Sequence, residues 1–264
     1  MTTAATTEFT FEILESNGYT LAFDGNSKVT AGNGTFDEPF ANAFSLVQAK
    51  DCPFRTPTCD DSCYVHQLEK FQPDIHDHYK RNSEAIRMIL EDVQCFEVAW
   101  DVAAWIEKNC KGGFRWHVSG DIFSADYADW IASVVLESPN VEHWIYTRSF
   151  PFMHPYLTDL PNLTLNLSAD KDNYWLARRY ADEHNLRVCY LTVDGEVPPD
   201  LMEGDVIFPD YALRGVGQRP FNFRSESKWW QVLEGRQRKM VCPVDVYGKS
   251  EQVRCGPCRK CINK

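Results

Sequence analysis

The chain has 264 residues, ten of them cysteine, and a formal charge of −11 at pH 7. That length suffices for one large or two small domains with a full hydrophobic core, and a composition of 44% hydrophobic and 25% charged residues excludes wholesale disorder. No apolar run approaches the ~20 residues that span a bilayer, and residues 1–16 lack the basic and apolar regions of a secretory signal. The expected compartment is therefore the cytoplasm (the host cytoplasm if phage-encoded), where thiols stay reduced and cysteines serve metal better than disulfides.

Charge is uneven along the chain. Residues 214–264 hold twelve Lys/Arg against four Asp/Glu, and the remainder is strongly acidic. An acidic body speaks against a broad nucleic-acid groove, while the basic tail either offsets neighbouring negative charge or forms a local anion site.

In chain order, residues 8–50 read as short extended pieces with turns at Asn17-Gly18, Asp24-Gly25 and Asn33-Gly34. From about Asn82 the pattern becomes helical: Ser83 is a candidate cap, and Ile86, Ile89, Leu90 and Val93 recur at helical spacing. Strands are expected at Phe114–Val118, His143–Thr147, Leu163–Leu167, Arg187–Val193 and Asp205–Phe208, with a helix capped by Ser124 and another over Tyr174–His184. This alternation predicts an α/β fold with a mostly parallel sheet. Period-two alternation places Arg115, His117 and Ser119 opposite Phe114, Trp116 and Val118. Likewise Thr164, Asn166 and Ser168 oppose Leu163, Leu165 and Leu167, and Tyr190 and Thr192 oppose Cys189, Leu191 and Val193. Helices cover the apolar face, so the polar face looks inward. A filled barrel would carry branched aliphatics inside, so the expectation is a partial (β/α) TIM-like barrel. It would form a single domain: an N-terminal segment of extended pieces (1–81), the barrel part (82–212) and a basic, cysteine-rich, metal-binding C-terminal segment (213–264).

Polar residues gather at the carboxyl ends of these strands, where parallel sheets bind ligands. His117, Ser119, Asp121, Tyr146, Arg148, Ser168 and Asp170 are the candidate cofactor-binding residues, with Arg148 as a fork for a carboxylate or phosphate. No G-x-S-x-G elbow is present, and the sequence assigns no catalytic residue.

The cysteines carry the most specific signal. Cys242-Pro243 followed by Cys255, Cys258 and Cys261 is unlike the two separated pairs usual for zinc. It resembles the ferredoxin-type arrangement, in which three closely spaced thiolates and a Cys-Pro hold a [4Fe–4S] cube. Cys52, Cys59 and Cys63 form a second group, stiffened by Pro53 and Pro57, with three ligands and an open fourth position. Seven candidate ligands are too many for one site, so one or two clusters are expected, with zinc as the alternative metal. Cys95, Cys110 and Cys189 read as packing residues.

The order of a C-P-x5-C-x3-C-Y segment, a strand F-R-W-H-V-S-G-D, a strand H-W-I-Y-T-R-S and a terminal C-P…C-x2-C-x2-C resembles the actinobacteriophage "gene product eighty-eight" family. The resemblance covers the chain from about residue 45 onward and implies a phage protein. A more distant similarity is to radical S-adenosylmethionine enzymes, which combine a partial barrel with an early three-cysteine cluster. It implies S-adenosylmethionine as a further cofactor, although the spacing here is six then three and no Gly-Gly-Glu strand end is present. Three functions follow. One is a [4Fe–4S] protein with redox or radical chemistry on an unknown small molecule. Another is a zinc- or cluster-stabilised, non-enzymatic protein that binds nucleic acid or a host factor, with Arg236, Arg238, Lys239, Arg254, Arg259 and Lys260 on phosphates and Trp229 and Trp230 stacking on bases. In a third, a phage assembly protein, metal only fixes the fold.

Overall fold

The structure, a computed structural model, describes residues 11–24, 29, 41–153, 155–210, 228–243 and 255–262. Gly25, the Asn33-Gly34 turn, Arg254 and Lys264 lie outside the described residues.

Strands β1 (Phe11–Ser16) and β2 (Tyr19–Asp24) form an antiparallel hairpin. Asn17 and Gly18, both at positive φ, supply the two left-handed residues that a tight hairpin turn demands. β3 (Ala41–Phe44) pairs antiparallel with β2 and then parallel with β4 (Gly113–Trp116). The parallel run continues through β5 (His143–Thr147), β6 (Leu163–Ala169), β7 (Arg187–Thr192) and β8 (Val206–Pro209). Spatial order equals chain order across all eight strands. The fold is thus mixed α/β with a mostly parallel sheet, as the alternation predicted.

Between β3 and β4 lie α1 (Pro57–Asp61), α2 (Tyr64–Phe71), α3 (Pro73–Glu91) and α4 (Cys95–Asn109). α5 (Ala125–Leu136), α6 (Pro155–Thr158) and α7 (Tyr174–His184) make the later crossovers. Ser124 caps α5 as expected, accepting the Tyr127 N–H. Ser83, in contrast, lies inside α3, which begins at Pro73; its hydroxyl donates to Tyr79 O and accepts the Val47 N–H. Val93 falls beyond the end of α3, 94% exposed.

Sequential parallel strands joined by right-handed crossovers keep their helices on one side of the sheet. Ile86, Val102, Ile131 and Val135 from α3, α4 and α5 pack there on Phe114, Trp116 and Leu165. Ala177 and Ala181 of α7 pack on Leu167, Val188 and Tyr190. The opposite, inner face carries Ala41, Ala43, Trp144, Tyr146 and Cys189.

Two strands depart from the expected facing. β4 stops at Trp116 because His117 adopts φ +61°. That left-handed residue turns the imidazole towards Tyr127 of α5 and brings Val118 to the inner cluster. On β7 the register pairs Ser168 with Cys189 and Asn166 with Arg187. Cys189 and Arg187 therefore share the inner face with Ser168 and Asn166, and Tyr190 goes to the helix side. Gly120 follows at φ +81°, where a Cβ would come within 2.6 Å of Leu46 Cβ; only glycine permits the close approach sealed by Leu46 N–H to Ser119 O, 2.9 Å.

Candidate functional site

Thiols collect at two ends of the inner face. The first set rides on the loop and helix that follow β3. Thr56 caps α1, accepting the Cys59 N–H at 3.0 Å, and donates its hydroxyl to Asp170 at the carboxyl end of β6. Thr58 N–H donates to Asp172 at 2.9 Å, and Asp121 N–H donates to Asp51 O at 2.8 Å. Asp51 is also paired with Arg87 of α3. These contacts clasp the Cys52–Cys63 loop across the carboxyl ends of β4, β5 and β6. Cys52, Cys59 and Cys63 interact electrostatically with one another there.

Burial pushes all three thiols up from their ordinary range. At Cys52 the Asp121 carboxylate adds to it; at Cys59 the Arg148 guanidinium, in hydrogen-bond reach of the sulfur, opposes it. Arg148 is buried and pairs with fully buried Asp170 at 2.8 Å. Asp121 accepts Thr147 Oγ1–H at 2.7 Å, Arg148 N–H at 2.8 Å and Ile122 N–H at 2.7 Å. Burial raises its carboxyl above the usual range and these donors oppose the shift.

Of the predicted ligand-binding residues, Asp121, Arg148 and Asp170 thus meet here, with the cysteines as neighbours. Ser119 is buried in the same stretch, and its hydroxyl has no hydrogen-bond partner among the described residues. Ser149 Oγ, which the motif analysis did not single out, is in the same condition. Ser168 lies nearby with its carbonyl accepting from Asn173 Nδ2 at 3.3 Å. His117 is turned away: its Nε2 is 2.9 Å from Tyr127 Oη on the helix side, and burial followed by the Arg115 charge lowers it to about 3. Tyr146 belongs to the other set.

That second set is built by the C-terminal segment lying over the inner face toward the strand starts. Thr164 donates to Ile262 O, Asn166 Nδ2 donates to Cys261 O at 3.1 Å, and Arg187 donates to Lys260 O. Arg259 pairs with Glu142 just before β5. The polar inward residues of β6 and β7 therefore satisfy the backbone of an irregular segment. Cys242, which hydrogen-bonds Ile207 O through its N–H at 2.9 Å, lines one cavity with Cys255, Cys258 and Cys261 beside Trp144 and Tyr146. Cys189 stands directly behind, in the same cluster as Cys242 and Cys261.

Among the described residues, no three His, Cys, Asp or Glu side chains converge in an arrangement that holds a metal ion. The donor chemistry nonetheless fits a thiophilic metal: four thiols share one cavity wall. Bound thiolates must lose their protons, and ligands close on a metal as it binds.

Trp229 and Trp230, the expected base-stacking pair, are 7% and 9% exposed in the α7-side cluster, and Trp229 Nε1 donates to Gly195 O at 2.8 Å. Packed in this way they offer no face to a base. Arg236 and Arg238 donate to Leu201 O, Trp230 O and Gln231 O. Among the described residues no helix is long and apolar enough to cross a membrane.

Fold and thiols together define a mixed α/β protein whose largely parallel sheet carries cysteines at both ends of one face. The model of the family described as "Gene product 88" matches residues 19–264. The chain belongs to that family, as its order of motifs predicted. The "Gene 88 protein" of Mycobacterium phage L5 is 29% identical to it over 170 residues, covering 61% of this chain and 69% of that protein. The "Gene 88 protein" of Mycobacterium phage D29 is 29% identical over 186 residues, covering 67% and 73%. No solved structure matches the chain.

Proposed function

We propose that this phage-family protein is an iron–sulfur protein built on a partial β/α barrel. Cys242, Cys255, Cys258 and Cys261 hold a [4Fe–4S] cluster under the sheet. Cys52, Cys59 and Cys63 hold a second cluster at the carboxyl ends of the strands, where an open position faces an unknown small molecule. The observation that carries this reading is the cavity wall that brings Cys242 to Cys255, Cys258 and Cys261, with Cys52, Cys59 and Cys63 interacting with one another in their own loop. Their positions suggest a division of labour. In β/α barrels the carboxyl end of the strands hosts chemistry and the opposite end stability, so the three-cysteine set is the reactive one.

When bound, the upper cluster supplies redox or radical chemistry. The protein groups position and tune it. Arg148 would stabilise the Cys59 thiolate, Asp170 offsets and orients Arg148, and the Ser119 and Ser149 hydroxyls, without a hydrogen-bond partner among the described residues, are available to a ligand. The basic residues Arg259 and Lys260, next to Cys258 and Cys261 in the chain, would offset the negative charge of four thiolates.

The test is anaerobic purification with iron, sulfide and zinc analysis. A brown protein absorbing near ~400 nm with acid-labile sulfide is expected. A colourless protein with stoichiometric zinc sinks the iron reading, since zinc is redox-silent. A brown protein that, once reduced, leaves S-adenosylmethionine intact retains the redox branch and loses the radical one.

A further inference from the structure

We propose that Arg115 anchors an oxyanion site on the inner face, taking the carboxylate or phosphate group of a small-molecule ligand, with Trp144 as a second donor. The site does not depend on a metal.

Three observations carry it. First, the inward polar residues of β6 and β7 are occupied: Thr164, Asn166 and Arg187 each donate to a backbone carbonyl of the C-terminal segment. Arg115, inward on β4, makes no hydrogen bond or ion pair among the described residues, and its Nε is buried without an acceptor. Second, the β4–β5 register pairs Arg115 with Trp144, and the indole Nε1 of fully buried Trp144 also lacks an acceptor. Two donors without acceptors thus stand at paired positions on one face. Third, the Arg115 guanidinium lies over the Tyr146 ring, 4.8 Å from its centroid. Stacking fixes the plane of the fork and leaves its N–H edges for a ligand.

Electrostatics selects the kind of ligand. A cation and an N–H taken out of water cost free energy unless acceptors meet them. On the other side of Arg115 the register runs through Ala43 to Asp24. That carboxyl accepts from the Ser45 hydroxyl and makes no ion pair with Arg115. The row therefore holds a fixed cation with no carboxylate in contact. An oxyanion supplies the missing charge and several acceptors at once, and a guanidinium grips carboxylate and phosphate in the same two-pronged way. Arg115 is only partly buried, so an ion can reach it. Its β5 neighbours Trp144 and Tyr146 line the cavity of Cys242, Cys255, Cys258 and Cys261, which sets the anionic group beside those thiols.

The experiment titrates the full chain, purified anaerobically, with inorganic phosphate and with acetate at constant ionic strength, using calorimetry and chloride as the control. Saturable binding of at least one of them is expected: phosphate alone assigns a phosphate ester, acetate alone a carboxylate. Arg115→Met should weaken that binding by about tenfold to a hundredfold, the worth of hydrogen bonds to a charged group. Trp144→Phe, which keeps an aromatic ring and loses the N–H, should weaken it by about two- to tenfold. Arg115→Lys, which keeps the charge without the fork, should fall between parent and Arg115→Met, and it serves if the Met variant fails to fold. A parent that binds neither anion saturably overturns the proposal, and so does equal affinity in the parent and the Arg115 variants. Iron per chain is read in the same samples. Loss of iron from Arg115→Met, with no anion bound by the parent, would make a cluster the counter-charge and overturn it too. A parent without iron that still binds an anion through Arg115 keeps this site and removes the iron reading.

Discussion

Two buried histidines set the acid behaviour of individual residues. His117 and His143 are buried and each is lowered to about 3, chiefly because burial penalises the charged ring. His143 Nε2 sits 2.9 Å from Ser138 Oγ, stacked against Trp116. A histidine whose folded pKa lies below its unfolded value of about 6.5 contributes stability fully present above that value and lost as pH falls toward 3. Each costs about 1.4 kcal/mol per pH unit in that window. Asp24 acts in the opposite sense: burial, partly offset by Ser45, Tyr79 and Arg115, raises its carboxyl to about 7. Its contribution is complete below the unfolded value of about 3.9 and lost as pH rises through 7, so acidification restores it. Acidification thus removes the contribution of the two histidines, while Asp24 and Asp121, both raised by burial, act against that loss. Denaturant titrations between pH ~6 and ~4 should show stability lost more steeply on acidification in Asp24→Asn than in the parent. A profile that is flat in the parent and in the variant would refute the assignment of neutral buried imidazoles.

At the level of elements, the cysteine loop leans on Asp170, which accepts from Thr56 and pairs with Arg148. Arg148 and Asp170 are both buried, at 8% and 0% exposure. Removing one charge leaves the other without compensation in a low-dielectric setting, at a cost of about 3–5 kcal/mol. Arg148→Met is expected to lower the denaturation midpoint by that order, and adding Asp170→Asn should recover much of it. An unaltered midpoint in Arg148→Met would mean that the pair holds nothing in place. How far elements were legible in the sequence follows the same logic. β5 and the helix Tyr174–His184 were read with their observed bounds, because short apolar strands and well-spaced helical faces announce themselves locally. The facing of Cys189 was missed because register with β6, a non-local property, decides it. His117 was missed because a single left-handed residue breaks the alternation, and nothing in its neighbours demands one. The clustering of Asp121, Arg148 and Asp170 was legible from strand ends; that they meet the cysteine loop was not, since Thr56 and Thr58 carry no motif.

For the molecule as a whole, the proposed metal and the fold are coupled. The four thiols under the sheet sit on two pieces of chain, Cys242 beside β8 and Cys255–Cys261 across the inner face. Metal binding would join them, so its free energy would appear as folding free energy. Cys258→Ala is expected to lose metal and soluble yield together. A soluble variant with full metal content would remove Cys258 from the site.

The C-terminal segment that covers the inner face has a further consequence, for the time the chain takes to fold. Thr164 meets Ile262 across 98 positions, and Arg259 meets Glu142 across 117. Five parallel strand pairings, each bridged by a crossover, add more distant contacts. Such high contact order slows the search for the native topology, because loop-closure entropy is lost before the pairing rewards it. Ile262 and Cys255 of that segment pack on Trp144 and Tyr146, so its docking also takes these aromatics out of water.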